Sequence, residues 1–282
     1  MPELPEVETV RRGLGPAMEG RVICKVVLHR TDLRWPMPEG FSQRIEGTRV
    51  IRLRRLAKFL LADLSSGKTI LIHLGMSGRL LLCKSPSDKS PDSPTPQKHD
   101  HVVFKMDDGA RVVFNDPRRF GSMDLYRSDD ESKHWLLRSL GPEPLGNSFN
   151  GMYLTRRLAG KKAPIKSALL DQSVIAGLGN IYACEALWNA RISPILRAGS
   201  LSPLRVERLT AAIKSVLADA IKAGGSSLRD FRQTGGELGY FQHQFQAYGR
   251  EGKECRRERC FGTISRVSQS GRSTFFCQRC QR

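Results

Sequence analysis

The chain has 282 residues, of which 39% are hydrophobic and 26% charged, so it can bury one large core or two modest ones. Its 46 Lys and Arg outnumber its 28 Asp and Glu, and the formal charge of +18 predicts a polyanionic partner. Nucleic acid is the first candidate and an anionic membrane surface the second, while the lack of any run of ~18 apolar residues excludes a membrane-spanning helix.

The first segment, residues 2–15, begins with acidic residues and continues with an arginine pair, a charge order typical of a helix. Because Met1 precedes the small residue Pro2, we expect the methionine to be removed, which leaves a free secondary amine. An α-amino group titrates at about pH 8, so a useful fraction of it is neutral and can attack an electrophilic carbon. Glu3 and Glu6 could transfer protons, although acidic residues at a helix start more often only cap it.

Short β-type runs separated by turn-like segments follow, and their spacing predicts a β-sandwich or barrel. The runs span residues 21–29, 48–56, 58–64, 69–74, 101–106, 110–115 and 122–126. The segment 84–98 contains four prolines and no large apolar side chain, which is typical of a surface loop between two strands.

The pattern becomes helical in the second half of the chain. Apolar residues at steps of three and four positions predict helices over 152–160, 164–172, 181–192 and 203–225. A polar stretch with Gly and Ser, 224–239, is interpreted as mobile. The predicted organisation is a β-rich domain at 1–127, a linker at 128–150, a helical domain at 151–245 and a cysteine module at 246–282.

Four of the seven cysteines lie in the last part of the chain, with the spacing C-x4-C, 16 residues, C-x2-C: Cys255, Cys260, Cys277 and Cys280. Two close pairs around a hairpin-length insert can place four thiolates on one tetrahedral ion, and zinc suits sulfur ligands. Four protein ligands leave no open position, so the zinc would be structural. The N-terminus does not resemble a secretory signal, so we expect a reducing cytoplasm, which favours a metal over disulfides. Two disulfides, unrelated thiols or an iron–sulfur cluster are the alternatives.

Both ends of the chain resemble bacterial formamidopyrimidine-DNA glycosylases. The N-terminal block is MPELPEVETVRRGL and the C-terminal block is CFGTISRVSQSGRSTFFCQRCQ. Between them, RRLAKFLL, IHLGMSGRL, KHDHVVF, DPRRFG, LGPEPL, GLGNIYACEALW and AYGREGKEC resemble further blocks of that family, in the same order. The resemblance covers nearly the whole chain. The x4 spacing of the first cysteine pair, where many relatives have x2, and the segment 84–98 depart from the family pattern.

The resemblance implies an α+β multidomain fold. It has an N-terminal helix and β-sandwich, a helix-two-turn-helix domain with a lesion-capping loop near 224–239, and a C-terminal zinc-ribbon β-hairpin. It also implies a monomeric, bifunctional DNA glycosylase and AP lyase of base excision repair. This enzyme removes 8-oxoguanine and formamidopyrimidines from damaged double-stranded DNA and needs one structural zinc ion, without a nucleotide cofactor or a membrane.

The resemblance also assigns catalytic roles. Pro2 would attack C1′ of the damaged nucleotide and form a Schiff base, Glu3 would act as the proton donor, and Glu6 would support them. Lys58, in RRLAKFLL, would assist β-elimination and bind phosphate. Arg272 would assist δ-elimination and bind the phosphates beside the lesion. After excision the enzyme would cleave the strand on both sides of the sugar.

Enzymes that work on a base within a duplex flip it out and fill the gap. The resemblance assigns that role to Met76, Arg118 and Phe120, with Arg118 also facing the unpaired partner base. From the residues alone, Met76 and Phe120 would be interpreted as core side chains. The DNA-binding residues that the resemblance implies are His73, His99, Arg118, Lys161, Lys166, Asn180, Tyr248 and Arg250.

Two other functions are open at this point. An endonuclease VIII-like glycosylase for oxidised pyrimidines shares the proline, the helical motif and the finger. The block PELPEVE and the stretch 224–239 favour the purine enzyme. A non-enzymatic zinc-ribbon DNA-binding protein fits the charge and the cysteines alone.

Overall fold

The computed structural model describes residues 2–83, 97–226, 234 and 239–282. The chain divides into two compact units, which we call unit 1 (1–138 with 223–240) and unit 2 (139–222 with 241–282). The predicted loops at 84–98 and 224–239 lie largely outside the described residues. Part of the predicted linker forms a 3-10 helix, Ser128–Lys133, which belongs to unit 1.

Unit 1 begins with helix α1, Leu4–Met18, which buries one face through Leu4, Val7, Val10, Leu14 and Met18. This spacing of three and four residues is the amphipathic pattern of a helix packed on a core. The arginine pair does not lie at the C-terminal end of α1, and the last turn of the helix contains no basic residue. Both arginines lie in the middle of the helix, where they form ion pairs with Glu8.

Two four-stranded antiparallel sheets follow. The elements are β1 Ile23–Leu28, α2 Phe41–Ile45, β2 Val50–Leu56, β3 Phe59–Leu64, β4 Lys68–His73, β5 Arg79–Cys83, β6 Asp100–Met106, β7 Arg111–Asn115 and β8 Ser122–Arg127. The strand orders are β1-β6-β7-β5 and β2-β3-β4-β8. Buried apolar residues from both sheets and from α1 form one core cluster, which confirms the predicted β-sandwich. The sequence pattern did not predict β5.

Unit 2 contains four α-helices and a β-hairpin, as predicted. The elements are α3 Gly151–Leu158, α4 Ile165–Leu170, α5 Asn180–Asn189, α6 Pro203–Lys222, β9 Ile264–Gln269 and β10 Arg272–Cys277. Helix α5 is buried along most of its length and packs against α6 and β10. Unit 2 has 20 Lys and Arg against 8 Asp and Glu, whereas unit 1 has 26 against 20. The basic excess is therefore concentrated in unit 2. None of the described helices is long and apolar enough to cross a membrane.

Candidate active site and metal centre

The start of α1 holds two buried carboxylates beside Pro2, which is itself buried. Glu3 is 3% exposed and Glu6 is 2% exposed. The Glu3 backbone N–H donates to Glu6 Oε2 at 2.8 Å, half of a capping box at the helix start. The Ser226 backbone N–H donates to Glu6 Oε1 at 2.8 Å. Capping and a catalytic role are therefore compatible here, because the bonds that cap α1 also fix the backbone next to Pro2.

Lys58 lies in the tight turn between β2 and β3 and is buried. The next residue, Phe59, pairs with His73 at the end of β4. Burial, together with the positive charges of Lys58 and Arg34, lowers the pKa of His73 to about 4. The Gly75 backbone N–H donates to His73 Nδ1 at 3.1 Å, so the neutral ring carries its proton on Nε2. That Nε2–H can donate to an oxyanion.

Two loops of unit 1 present the three predicted void-filling side chains. Met76 is 36% exposed and Phe120 is 43% exposed, so both are surface residues and not the core residues that their side chains alone would suggest. The Arg118 guanidinium lies 5.0 Å from the centre of the Phe120 ring. At Gly75, φ is +62° and a Cβ would lie 2.3 Å from the Phe120 backbone. The two loops therefore approach so closely that only glycine fits between them.

Asp116, which is fully buried, joins these loops. Its Oδ1 accepts a hydrogen bond from Ser77 Oγ at 2.5 Å, and its Oδ2 accepts one from the Gly121 backbone N–H at 2.8 Å. Ser77 Oγ in turn accepts from the Arg118 backbone N–H at 3.1 Å. The exposed side chains therefore stand on a fixed backbone. Asp116 was not among the predicted site residues, although its place two positions before the arginine pair in DPRRFG was a signal.

The three predicted void-filling side chains border a cavity of about 680 Å³ in unit 1. Arg34 and Arg119 also line it, and both are exposed. Sequence reasoning assigned no role to either residue. The cavity wall thus combines cationic, apolar and aromatic groups with one carboxylate, Asp32. Its cationic and aromatic groups suit nucleic-acid phosphates and bases. His99 lies beside this region, since its carbonyl accepts from the Asp116 backbone N–H at 3.0 Å.

In unit 2, the predicted elimination residue Arg272 is exposed at the start of β10. The next residue, Ser273, is held by two side chains. Asn180 Nδ2, at the N-terminus of α5, donates to the Ser273 carbonyl at 3.0 Å. Lys166 is 1% exposed, and its Nζ donates to that carbonyl at 3.3 Å and to Thr274 Oγ1 at 2.7 Å. The Lys166 amine therefore has almost no surface to offer a phosphate.

The segment that leads into the cysteine module is held by Glu185 of α5, which the sequence analysis did not identify. Its buried carboxylate accepts from the backbone N–H groups of Gln246, Ala247 and Tyr248 at 2.7–2.9 Å. Burial raises the pKa of Glu185, and these three hydrogen bonds oppose that shift. The Arg250 guanidinium also holds this segment, since it donates to the backbone carbonyls of residues 246 and 254. Lys161, which follows α3, is partly exposed.

The four predicted metal ligands converge in unit 2, and their sulfur atoms all lie within 4.8 Å of one another. Cys255 and Cys280 Sγ are 3.8 Å apart, and Cys260 and Cys277 Sγ are 3.7 Å apart. A tetrahedral ion with Zn–S bonds of about 2.3 Å requires sulfur pairs about 3.8 Å apart. The sulfur atoms therefore fit one zinc ion, and β9 and β10 form the predicted hairpin between the cysteine pairs.

Three family models match successive parts of the chain. They describe the formamidopyrimidine-DNA glycosylase N-terminal domain at residues 1–123, the H2TH domain of the same enzyme at 140–232, and a zinc finger found in FPG and IleRS at 252–282. Curated relatives named formamidopyrimidine-DNA glycosylase match over the full length of both chains. The one from Ruegeria pomeroyi is 60% identical and one from Cereibacter sphaeroides is 58% identical.

Solved structures agree with these matches. The MutM (Fpg) protein of Thermus thermophilus is 40% identical, with a TM-score of 0.86 over 99% of this chain and 98% of that one. A Lactococcus lactis Fpg variant in complex with Fapy-dG DNA is 32% identical, with a TM-score of 0.89 over both full chains. The Lactococcus lactis Fpg complex with abasic-site DNA is 33% identical, with a TM-score of 0.88 over both full chains.

Proposed function

The chain belongs to the formamidopyrimidine-DNA glycosylase family, and we propose that its own residues carry out the family chemistry at the positions described above. It is a bifunctional DNA glycosylase and AP lyase of base excision repair. It removes oxidised purines from duplex DNA through an N-terminal proline Schiff base and then cleaves the strand by β,δ-elimination. Full-length identity of 60% to a named glycosylase is the observation that carries this conclusion.

In the proposed first step, the Pro2 nitrogen attacks C1′ of the flipped nucleotide and the bond from C1′ to the damaged base breaks. Glu3 supplies the proton that leaves with the base or opens the sugar ring, which yields an iminium between Pro2 and C1′. A base then removes a C2′ proton, a step that Lys58 assists, and the C3′–O bond breaks to release the 3′ phosphate. Arg272 assists the second elimination, in which the C4′ proton is lost to a base and the C5′–O bond breaks to release the 5′ phosphate. Glu6 supports these steps by fixing the backbone next to Pro2.

The phosphate groups next to the lesion need hydrogen-bond donors and positive charges. In unit 1, we assign this role to Lys58 and to the neutral His73 through its Nε2–H, with His99 nearby. In unit 2, we assign it to the exposed Arg272, with Lys161, Tyr248 and Arg250 as further contacts. The positive charges of the lysines and arginines among these groups give affinity that decreases as salt increases, because their phosphate contacts release counterions.

Lys166 and Asn180 influence phosphate binding indirectly, by holding the β9–β10 hairpin that carries Arg272. Both donate to the carbonyl of Ser273, the residue after Arg272. A buried ammonium with two protein acceptors orients the strand and leaves the arginine free to contact phosphate. We therefore propose that Lys166 is a positioning residue for Arg272, which refines the direct DNA contact implied by sequence.

Met76, Arg118 and Phe120 are proposed to occupy the space that the flipped nucleotide leaves. A thioether, a guanidinium and an aromatic ring on a fixed loop can replace the stacking that the duplex loses. The exposure of Met76 and Phe120 supports this role, because nothing in the described part of the protein buries them.

Arg118→Ala will separate excision from strand cleavage. We expect excision of 8-oxoguanine opposite cytosine to slow about 10–100-fold, because the gap in the stack is no longer filled at a cost of about 1.4–2.8 kcal/mol. Cleavage of a preformed abasic site will change less than about threefold, since no base is flipped from a pair. Single-turnover assays on the two duplexes measure both rates. An equal loss in the neighbouring Arg119→Ala variant would indicate charge, and not gap filling, as the cause.

The substrate assignment is tested by comparing two lesions under identical conditions. We expect faster excision of 8-oxoguanine opposite cytosine than of thymine glycol opposite adenine, measured in single-turnover reactions. Faster excision of thymine glycol would indicate the endonuclease VIII-like activity and contradict the proposal.

We also propose that the protein works as a monomer in the bacterial cytoplasm, in contact with the nucleoid through DNA. The bacterial relatives support this location.

A further inference from the structure

Helix α5 contacts the zinc module at both of its ends. Asn180, at its N-terminus, holds the Ser273 carbonyl of the hairpin. Trp188, about two turns further along, donates from its indole Nε1 to the sulfur of Cys255 at 3.3 Å. A residue of the helical segment thus supplies a hydrogen bond to a metal ligand 67 positions later in the chain. The cysteine spacing gives no hint of this contact.

Arg257 fixes the orientation of that indole. Its guanidinium lies 4.3 Å from the centre of the Trp188 ring, and its Nη2 donates to the Trp188 backbone carbonyl. A cation over the ring face is attracted to the indole and withdraws electron density from it, which strengthens the N–H as a donor. Trp188 also packs against the small core of the module, which includes Ile264 and Phe275.

We propose that Trp188 is a functional part of the zinc site, because its N–H lowers the nucleophilicity of the Cys255 sulfur. Oxidants and electrophiles then attack this sulfur more slowly, and the zinc ion is lost more slowly. A zinc-bound thiolate keeps lone pairs that can attack such reagents. A hydrogen bond to the sulfur withdraws density from those lone pairs. Groups that hydrogen-bond metal ligands typically change metal affinity by about 10–100-fold.

This protection bears on the function of the finger. The enzyme removes oxidised purines, so it works where oxidants are present. Loss of zinc frees the hairpin that carries Arg272, because the module has only a small apolar core of its own. A protected Cys255 therefore keeps the DNA-binding hairpin folded under the conditions that produce its substrates.

Trp188→Phe tests the proposal in the zinc-loaded full chain without DNA, so its failure leaves the proposed function untouched. Iodoacetamide is the probe: the thiolate displaces iodide, an S–C bond forms and a zinc ligand is lost. We expect zinc release, followed with a chromogenic chelator, to be about 3–10 times faster than in the parent protein. In cobalt-substituted protein, the sulfur-to-cobalt charge-transfer band will shift to lower energy, because a sulfur without its hydrogen bond donates charge more readily.

Two controls separate the hydrogen bond from packing. Trp135→Phe changes a half-exposed tryptophan of unit 1 and will leave both readouts unchanged. Replacement of Trp188 by 3-benzothienylalanine keeps the bicyclic shape and removes only the N–H donor, so it will reproduce the faster release and the band shift. If this variant releases zinc at the parent rate with an unshifted cobalt band, the proposal is wrong. If zinc release is faster in Trp188→Phe but not in the benzothienylalanine variant, packing and not the hydrogen bond protects the site, and the proposal is equally wrong.

Discussion

Pro2→Gly will eliminate the covalent adduct that borohydride traps between the parent protein and damaged duplex DNA, and will slow excision by about 10³-fold, or about 4 kcal/mol. A secondary amine forms an iminium that is cationic without any proton, whereas the imine of a primary amine must be protonated to become equally electrophilic. Glycine also frees the backbone that leads into the capped start of α1. The methionine is removed before glycine as well, so both proteins present a free amine.

The trapping experiment discriminates between the enzyme and a DNA-binding protein without catalysis. A matched control is Pro5→Ala, which changes another proline in the first turn of α1 and leaves the amine of residue 2 intact. We expect this control to trap and excise within about threefold of the parent. A covalent adduct of undiminished yield in Pro2→Gly, mapped to a residue other than residue 2, would show that another nucleophile forms the Schiff base, and the proposed mechanism would be wrong.

Removal of zinc will weaken binding to abasic-site duplex by at least about 10²-fold at constant salt. The four sulfur atoms converge within 4.8 Å, while the apolar core of the module consists of a few side chains, so the metal supplies most of its folding free energy. Without the ion, β9 and β10 lose their anchor at the cysteine end, and Arg272 loses its fixed position. Fluorescence anisotropy of labelled DNA, before and after chelation, measures the loss.

A ligand variant provides the same test without a chelator. Cys277→Ser removes one buried zinc ligand and will reproduce the loss of affinity, whereas Cys24→Ser changes an exposed cysteine of β1 and will not. We also expect no redox activity to appear in the metal-free protein. Full affinity in the metal-free protein would show that DNA binding does not require the folded finger. Schiff-base formation at high DNA concentration will persist, because Pro2 lies in unit 1.

Local patterns predicted the elements of this protein well. The short β-type runs before residue 127 became strands of the sandwich, and the periodic runs after 151 became helices of unit 2. Cysteine spacing alone indicated the metal site, because four thiolates on one ion require two close pairs around a hairpin. These predictions hold because secondary structure and metal knuckles depend on residues near one another in the chain.

Burial of single side chains could not be predicted in the same way. Phe120 is apolar, but Asp116 holds its loop so that the ring faces outward. Lys166 is charged, yet the hairpin more than 100 positions later supplies acceptors that make its burial tolerable. Lys166 depends on acceptors that are distant in sequence, and Asp116 joins the Phe120 loop to Ser77, which lies 39 positions earlier. No local pattern records either of these long-range contacts.

The order of amino acids was enough to establish which chemical groups this enzyme has available: a proline amine next to acids, four spaced thiols and a basic excess. Family blocks added the assignment of roles to those groups. The folded chain was needed to establish that Glu6 joins the start of α1 to Ser226 and that Trp188 donates to Cys255. Hydrogen bonds of this kind are set by packing between distant segments, whose geometry follows from the whole core and not from local spacing.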